Sequence, residues 1–513
     1  MNDLGRVSTP SQGTKGVVLL LVCLAGVATR LPALRYGALS DDEAIYATMA
    51  KEVLAGGVMY RDVVDHKPPG LTYTYAAVRA VTGDRGVWGG VHLLGLLAVL
   101  GTMVALFGIG RQLLQDKGLA PLPPLLYALA TAGKQPVDAL AVNGELLMNL
   151  PLSLAVWIAL ADRGGRARRL ASDLAVGALV AVAALYKYQA SVAGAALVFL
   201  VDRRAPLRPA AWLLGYAAPF VVTTVWFAHH GALQAAVPWG LRFNGRYLAA
   251  GPSLRNVLER LALQLVGVVV PSLVIYTAGL SAVGRRPARP ASPEMARGAR
   301  FVRGWAVASL LCVTLGGRFF GHYFLQAELP LALLAAEPIA RWFRRAPRTV
   351  VVGLALPPLL FSLVAASPSL SARLFERGAP DYAAIASAVR RRTTPDQSIW
   401  VWGNAPQIYT ASDRRAGTRF VFCNYLTGLS PATPSESDPA VDPGADAVAE
   451  AWAPLIADLD RRRPALVLDT AEAGVKSYGK FPIRRYPVLA DYLRTHYRRD
   501  GTVAGLAIYR RSE

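Results

Sequence analysis

The strongest constraint on this 513-residue chain is its succession of long apolar runs. A helix needs about 20 mostly apolar residues to cross the hydrocarbon core of a bilayer. Such runs fall at 16–34, 87–110, 119–134, 146–161, 170–187, 189–202, 209–229, 257–282, 301–317, 323–340 and 349–367, which gives an expectation of about 11 transmembrane helices, the shorter ones tilted or re-entrant. Only 17% of the residues are charged, against about a quarter in soluble domains. The formal net charge of +21 would suit a nucleic-acid binder, but most of the arginine lies in short loops between the apolar runs. That placement makes anionic membrane lipid the counterpart and argues against a nucleic-acid partner. Cys23 and Cys312 fall inside apolar runs and Cys423 stands alone near the end, so neither a disulfide framework nor metal-ligand spacing follows.

Alternation of the spans sets an orientation. Arg6 and Lys15 precede the first run, Arg30 and Arg35 follow it, and no small-x-small cleavage site stands out, so the first span reads as uncleaved. With the N-terminus in the cytoplasm, the loops at 111–118, 162–169, 202–208, 284–303 and 341–348 are cytoplasmic, and every one is basic. The opposite orientation would put all of them outside, against the usual distribution of Lys and Arg. The expectation is a multi-pass protein of the inner (plasma) membrane, with the first outer loop at 35–86, further outer segments at 134–145, 230–256 and 316–324, and everything from about 368 outside the cytoplasm.

The chain divides at that point. Residues 1–367 form the membrane domain. In 368–513, β-like segments (398–403, 419–425, 465–470, 506–511) alternate with helix-like ones (381–392, 447–461, 488–497), which reads as a small extracytoplasmic α/β domain. Its Pro- and Asp-rich stretch, 430–445, reads as a flexible loop. No repeat of 20–50 residues is visible.

The first outer loop is the polar exception in this apolar chain. Residues 39–70 read LSDDEAIYATMAKEVLAGGVMYRDVVDHKPPG. Ser40 followed by Glu43 is a capping box opening a helix to about Leu54. Acids in a first helical turn are favoured by the dipole alone, which accounts for Asp41 and Glu43. Asp42 is different, because at about 100° per residue it shares a stripe with Ile45, Tyr46, Met49 and Val53. A carboxylate on the buried side of a membrane protein needs a partner and is a functional candidate. Lys67 is held on the stiff support of Pro68 and Pro69; it meets either lipid phosphates or a substrate. Lys187, at the outer end of a span, either snorkels or helps to bracket a phosphate. Glu145 starts another span at the outer face. Arg318, His322 and Tyr323 lie at the outer mouth of 316–324, where a single histidine is more often a hydrogen-bonded interface residue than a ligand. Asp65 and His66 are equally ambiguous. There is no Gly-rich phosphate loop, no HExxH and no serine-centred triad.

A carboxylate, two cations and many spans suit transfer of a group from a membrane-embedded phosphate donor to an acceptor outside the cytoplasm. Such a site needs one base for the incoming hydroxyl or amine, and positive charge for the departing lipid phosphate.

The pattern Asp42-Glu43, Tyr46, and later Lys67-Pro68-Pro69 resembles the first outer loop of the GT-C glycosyltransferases related to protein O-mannosyltransferases and the lipid A aminoarabinose transferase. That family typically continues Lys-Pro-Pro with leucine, where this chain has Gly70. Its second acid best matches Glu145, and Lys187 resembles a family lysine after the fifth span. The segment RFFGHYFLQAELPLALLA and the later VWGNAPQIY are also similar to bacterial members. The resemblance implies an inverting transfer from a polyprenyl-phosphate sugar donor to an extracytoplasmic glycan, lipid or protein. It implies Asp42 and Glu43 as catalytic residues, with Asp42 the base, and Tyr46, Lys67, Glu145, Lys187, Arg318 and His322 as substrate-binding residues. No cofactor is expected beyond a divalent cation, for which Asp42, Glu43 and Glu145 are the candidate ligands. The alternative is a flippase or transporter of a polyprenyl-linked glycan, which commonly carries internal repeats and broken helices; neither is visible in the sequence. A structural assembly subunit would leave Asp42 and Lys67 unexplained.

Overall fold

The computed structural model describes residues 12–512 except 162–163, 200–204, 206, 250, 286–291, 376–378, 432 and 439. Arg6, and the parts of the expected basic loops at 162–163, 202–204, 206 and 286–291, lie outside the described residues, as does part of the expected 430–445 loop. All eleven apolar runs coincide with helix. Seven described helices are long and apolar enough to cross a membrane, or up to eight if the bent pair Leu254–Val269 and Leu273–Gly284 forms one span. The runs at 119–134 and 189–202 give short helices, Leu122–Ala132 and Ala190–Ala195. The run at 323–340 gives the longer Leu325–Arg345, which is mostly buried and carries Glu328 among its buried residues. The bent pair turns by 105°, so the chain does contain a broken helix that hydropathy did not reveal. Large apolar side chains on Gln12–Arg30, Leu207–His229 and Pro347–Ala365 face outward, as contact with lipid requires.

Seven helices position the site. α1 (Gln12–Arg30) leads into α2 (Asp41–Leu54), whose N-cap Ser40 hydroxyl accepts the Glu43 N–H at 3.2 Å. α3 (Gly70–Leu113) breaks at Gly83, where φ is 69°, so its first arm belongs to the 35–86 segment and its second to the long apolar run. α4 (Leu122–Ala132) and the turn of helix α5 (Pro136–Ala139) precede α6 (Gly144–Leu160). α7 (Arg166–Tyr186) ends immediately before Lys187.

The C-terminal part carries a five-stranded mixed sheet of order β2-β1-β3-β5-β4. β1 (Ser398–Trp402) lies parallel to β2 (Arg415–Ala416) and β3 (Leu466–Asp469); β5 (Leu506–Arg511) is antiparallel to β3 and to β4 (Tyr497–Val503). Three of the β-like segments are strands, but 419–425 is not. Its Phe420, Val421 and Cys423 are buried, yet its backbone ties the sheet to the first outer loop: the Arg419 carbonyl accepts the Val64 N–H at 2.9 Å, and the Cys423 N–H reaches the Gly403 carbonyl at 3.0 Å. β4 escaped notice because YRRDGTV is polar and mostly exposed, as an edge strand can be.

Candidate active site

A cavity of about 1140 Å³ opens between the N-terminal end of α2, the Lys67 turn, the end of α7, the 315–323 segment and loops of the C-terminal sheet. Asp42, Lys67, Lys187, Arg318 and His322 line it. Asp42 reaches it because the apolar stripe it belongs to is buried: Ile45, Tyr46 and Met49 are each 5% exposed or less. The Lys67 ammonium donates to the Asp42 carboxylate at 2.8 Å, stands 4.0 Å from Asp65, and lies 4.9 Å from the centre of the Tyr46 ring.

The departure from the family motif at Gly70 has a steric cause. A Cβ there would stand 2.4 Å from the Leu185 carbonyl oxygen, and one at Gly144 would stand 2.8 Å from that of Tyr186. These two glycines let the starts of α3 and α6 close on the last turn of α7. That approach delivers Lys187 to the same cavity as Lys67. Lys187 pairs with Glu145 at 2.8 Å and sits 4.8 Å from the Tyr323 ring centre.

Arg318 is fully buried at the rim. It donates to the Tyr247 carbonyl at 2.7 Å and to the Pro431 carbonyl, and its guanidinium lies 3.7 Å from the Tyr247 ring centre. The His322 backbone N–H donates to Asp138 at 2.9 Å, and the His322 ring Nδ1 lies 3.4 Å from the same oxygen.

Three expected site residues stay behind the cavity wall. Glu43 is wholly buried: its carboxylate accepts the Leu39 N–H at 2.7 Å and the Val142 N–H at 2.7 Å, with His92 at 3.4 Å. Those donors hold it away from the cavity and make it a brace between α2 and the start of α6. Tyr46 is buried beneath Lys67, and Glu145 behind Lys187, and neither lines the cavity. Among the described residues no group of three His, Cys, Asp or Glu converges to hold a metal. The candidate triad Asp42, Glu43 and Glu145 is therefore not assembled.

Sequence reasoning missed Asp138, Asn244, Tyr247, Asn424 and Tyr425, all lining the cavity. Asp138 stood in an outer loop already singled out, and its position beside Pro136 was the available signal. Tyr425 is reached only through the fold: its hydroxyl lies 3.3 Å from the His66 ring, with residue 425 on the far side of the membrane domain in sequence.

Electrostatics keep the central pair charged. Burial works to raise the Asp42 carboxyl, but Lys67, His322 and Lys187 outweigh it and hold it below its ordinary 3.8. For Lys67, burial works downward and is overcome by Asp42, Tyr46 and Asp65, leaving the ammonium well above 10.5. Asp65 is pushed up by burial and down by Lys67 and His66, with the lowering dominant. Asp41, next to the base candidate, is held from the C-terminal part by Gln407 and Lys476.

No family model matches the sequence, and no curated protein matches it. Solved structures do match in three dimensions. ArnT from Cupriavidus metallidurans bound to undecaprenyl phosphate aligns over 97% of this chain and 98% of its own, at 14% identity and a TM-score of 0.61. Its apo form gives 17% identity with the same coverage and TM-score. The archaeal oligosaccharyltransferase AglB from Archaeoglobus fulgidus, in complex with an inhibitory peptide and a dolichol-phosphate, covers 98% of this chain and 75% of its own, at 11% identity and a TM-score of 0.50. Likeness at such identities is likeness of fold, and over nearly its whole length this chain is a polytopic membrane protein with the GT-C fold.

Proposed function

We propose that the protein is an inverting glycosyltransferase that moves a sugar from a polyprenyl-phosphate donor to an acceptor outside the cytoplasm. The observation that carries this reading is the Asp42–Lys67 pair, a carboxylate and an ammonium 2.8 Å apart on the wall of a large cavity in a GT-C fold. Support comes also from ArnT, whose fold this chain shares and which was solved with undecaprenyl phosphate. The protein is placed in the inner (plasma) membrane, N-terminus in the cytoplasm and the C-terminal sheet outside.

The chemistry divides between two kinds of group. The donor phosphate enters beside Lys67 and Lys187, two of the three ammonium groups on the cavity wall, the third being Lys476, which pairs with Asp41. The singly charged phosphodiester of the donor competes with Asp42 for Lys67, and as the ammonium turns to the phosphate the carboxylate regains basicity. Asp42 then takes the proton of the acceptor hydroxyl or amine as that atom bonds to the anomeric carbon. The bond from that carbon to the phosphate oxygen breaks on the opposite face, and its electron pair leaves with the lipid phosphate, whose charge the lysines stabilise. One displacement inverts the anomeric centre. Asp138 and His322 lie on the same wall and orient the substrate. Arg318, bound to two carbonyls, anchors the rim to the C-terminal part.

The flippase alternative draws on the broken helix at 254–284, but the residues of the break, 270–272, do not line the cavity. The test is a transfer assay on purified protein with radiolabelled polyprenyl-phosphate sugars and a crude envelope acceptor, comparing wild type with Asp42→Asn. Label reaching the acceptor with wild type alone supports the reading. Tight donor binding without transfer, together with lipid movement across liposomes, would sink it.

A further inference from the structure

A second concave site lies at the other end of α2. Residues 52–57 floor a cleft of about 850 Å³ whose lining holds eight arginines and only three carboxylates. Asp42 and Glu52 stand ten residues apart on one helix, about 15 Å at 1.5 Å per residue, so this cleft is separate from the cavity at Asp42.

The charge is concentrated rather than spread. Residues 368–513 hold 20 Lys and Arg against 16 Asp and Glu, an excess of 4. Seven of the eight arginines in the cleft come from this part of the chain, with Asp396 the one acid it contributes to the lining. The remainder, 13 basic against 15 acidic residues, is slightly acidic.

Internal pairing does not neutralise the cluster. Glu52 is buried and shared by Arg415, at 2.8 Å, and Arg462, at 3.2 Å. Asp500 is shared by Arg392 and Arg510, each at 3.1 Å. A carboxylate shared by two guanidiniums leaves one positive charge over. Among the described residues, Arg463 and Arg511 have no carboxylate within ion-pair distance, and the buried Arg511 Nε–H has no acceptor. Arg463 takes up this position with a left-handed backbone, φ 44°. Arg61 pairs with Asp62 at 2.7 Å and Arg461 with Asp458 at 2.9 Å, yet the eight guanidiniums still outnumber Glu52, Asp62, Asp396, Asp458 and Asp500. Stability alone does not explain that excess around one hollow, because like charges converging with too little counter-charge repel.

We propose that this cleft binds an acidic saccharide chain, one carrying carboxylates or phosphates, on the outer face. Guanidinium forks match the planar geometry of carboxylate and the oxygens of phosphate, and several of them along a groove select a chain of such groups. The lining offers Ala55, Gly56, Gly57, Ala416 and Ala465 but no large apolar side chain to enter a bilayer, which favours a water-borne chain over a membrane surface. That the chain is an acceptor, held at a distance from Asp42, rests on the transferase reading above; the binding itself does not.

The experiment measures binding of a fluorescent oligogalacturonate to the purified full-length protein in detergent, without donor, against a neutral maltooligosaccharide of equal length. The expected result is binding of the acidic chain alone, weakening as salt rises, and a loss of about tenfold or more in Arg461→Glu/Arg463→Glu. Arg463→Gly, which suits the left-handed backbone, serves as the second variant and is expected to weaken binding several-fold. Equal affinity in both variants, binding of the neutral chain, or no binding at low salt overturns the proposal. Displacement of the acidic chain by micelles doped with phosphatidylglycerol overturns it in favour of a membrane surface. A protein that transfers sugar but binds no acidic chain loses the cleft and keeps the transferase; one that binds but never transfers does the reverse.

Discussion

A carboxylate locked to a lysine is a weak base, so the Asp42–Lys67 pair serves catalysis only if something takes Lys67 away from Asp42. A donor phosphate can do so, and this couples donor binding to activation of the base. Asp42→Asn is therefore expected to lower transfer by about 10²–10⁴-fold, with the protein still folded and in the membrane. Lys67→Ala should raise the donor dissociation constant far more than the acceptor's, read by separate titrations of the two; an unchanged donor affinity reassigns the lysine to structure. Glu43→Gln separates a brace from the expected catalytic role. Glu43 accepts N–H donors from Leu39 and Val142, and an amide would turn a donor toward one of them. A loss of about 1–3 kcal/mol in stability is expected, read as a lower thermal midpoint, with little change in turnover per folded molecule. Asp42 and Lys67 were legible in the sequence because a helical stripe and a Pro-Pro support are local patterns. The bracing of Glu43 was not legible because its partner, Val142, lies 99 residues away, and nothing local announces such a contact. Asp138 was missed for the same reason, since its meaning depends on His322.

At the level of elements, α2 serves both ends of the outer face. Its N-terminal turn presents Asp42 to the cavity, while Glu52 in its last turn engages Arg415, Arg462 and the Ala416 N–H from the C-terminal sheet. Its start and end were readable from Ser40, Glu43 and Gly56. The strands divide instructively. β1 and β3 are buried almost throughout and β5 over its first three residues, and those apolar residues declare them; β4 and the two-residue β2 lack that signal. Segment 419–425 has strand composition, yet spends its backbone bonds on the first outer loop. At the end of β3, Asp469 is 4% exposed and burial pushes its carboxyl up to about 6. A carboxyl raised by folding favours the folded state below its ordinary 3.8, and that contribution is lost as pH rises through about 6. Asp469→Asn keeps an acceptor for the Ala471 N–H, now at 2.8 Å, without the charge. It should gain about 1–2 kcal/mol at neutral pH and nothing in acid below 3.8. Unfolding followed through the buried Trp400 and Trp402 of β1 would read this, and an equal gain at both pH values would reject it.

Across the whole molecule, each apolar run falls on helix among the described residues, and seven or eight of the helices are long and apolar enough to cross a membrane alone. Periodicity cannot separate a lipid-facing span from a helix buried among others. Leu122–Ala132 is only 11 residues and largely buried, and Leu325–Arg345 hides Glu328, paired with Lys134, inside the bundle. Both are apolar because protein surrounds them. The break at 270–272 is hidden from hydropathy because its residues stay mostly apolar, but Pro271 is a local signal for it, since a proline inside a helical run removes a backbone hydrogen bond and kinks the helix. Orientation rests on a different argument, the basic loops, and it has a consequence that the fold alone does not. If those loops are cytoplasmic, the Asp42 cavity, the arginine cleft and the C-terminal sheet all face outside, because all three meet on α2. The three cannot be divided between the two sides of a membrane without taking α2 apart. Protease added to spheroplasts should therefore cut the C-terminal part, with exposed sites such as Arg494 and Arg498, while inverted vesicles protect it. Cleavage in inverted vesicles alone would move the donor site to the cytoplasm and remove the need for a lipid-borne donor along with the orientation.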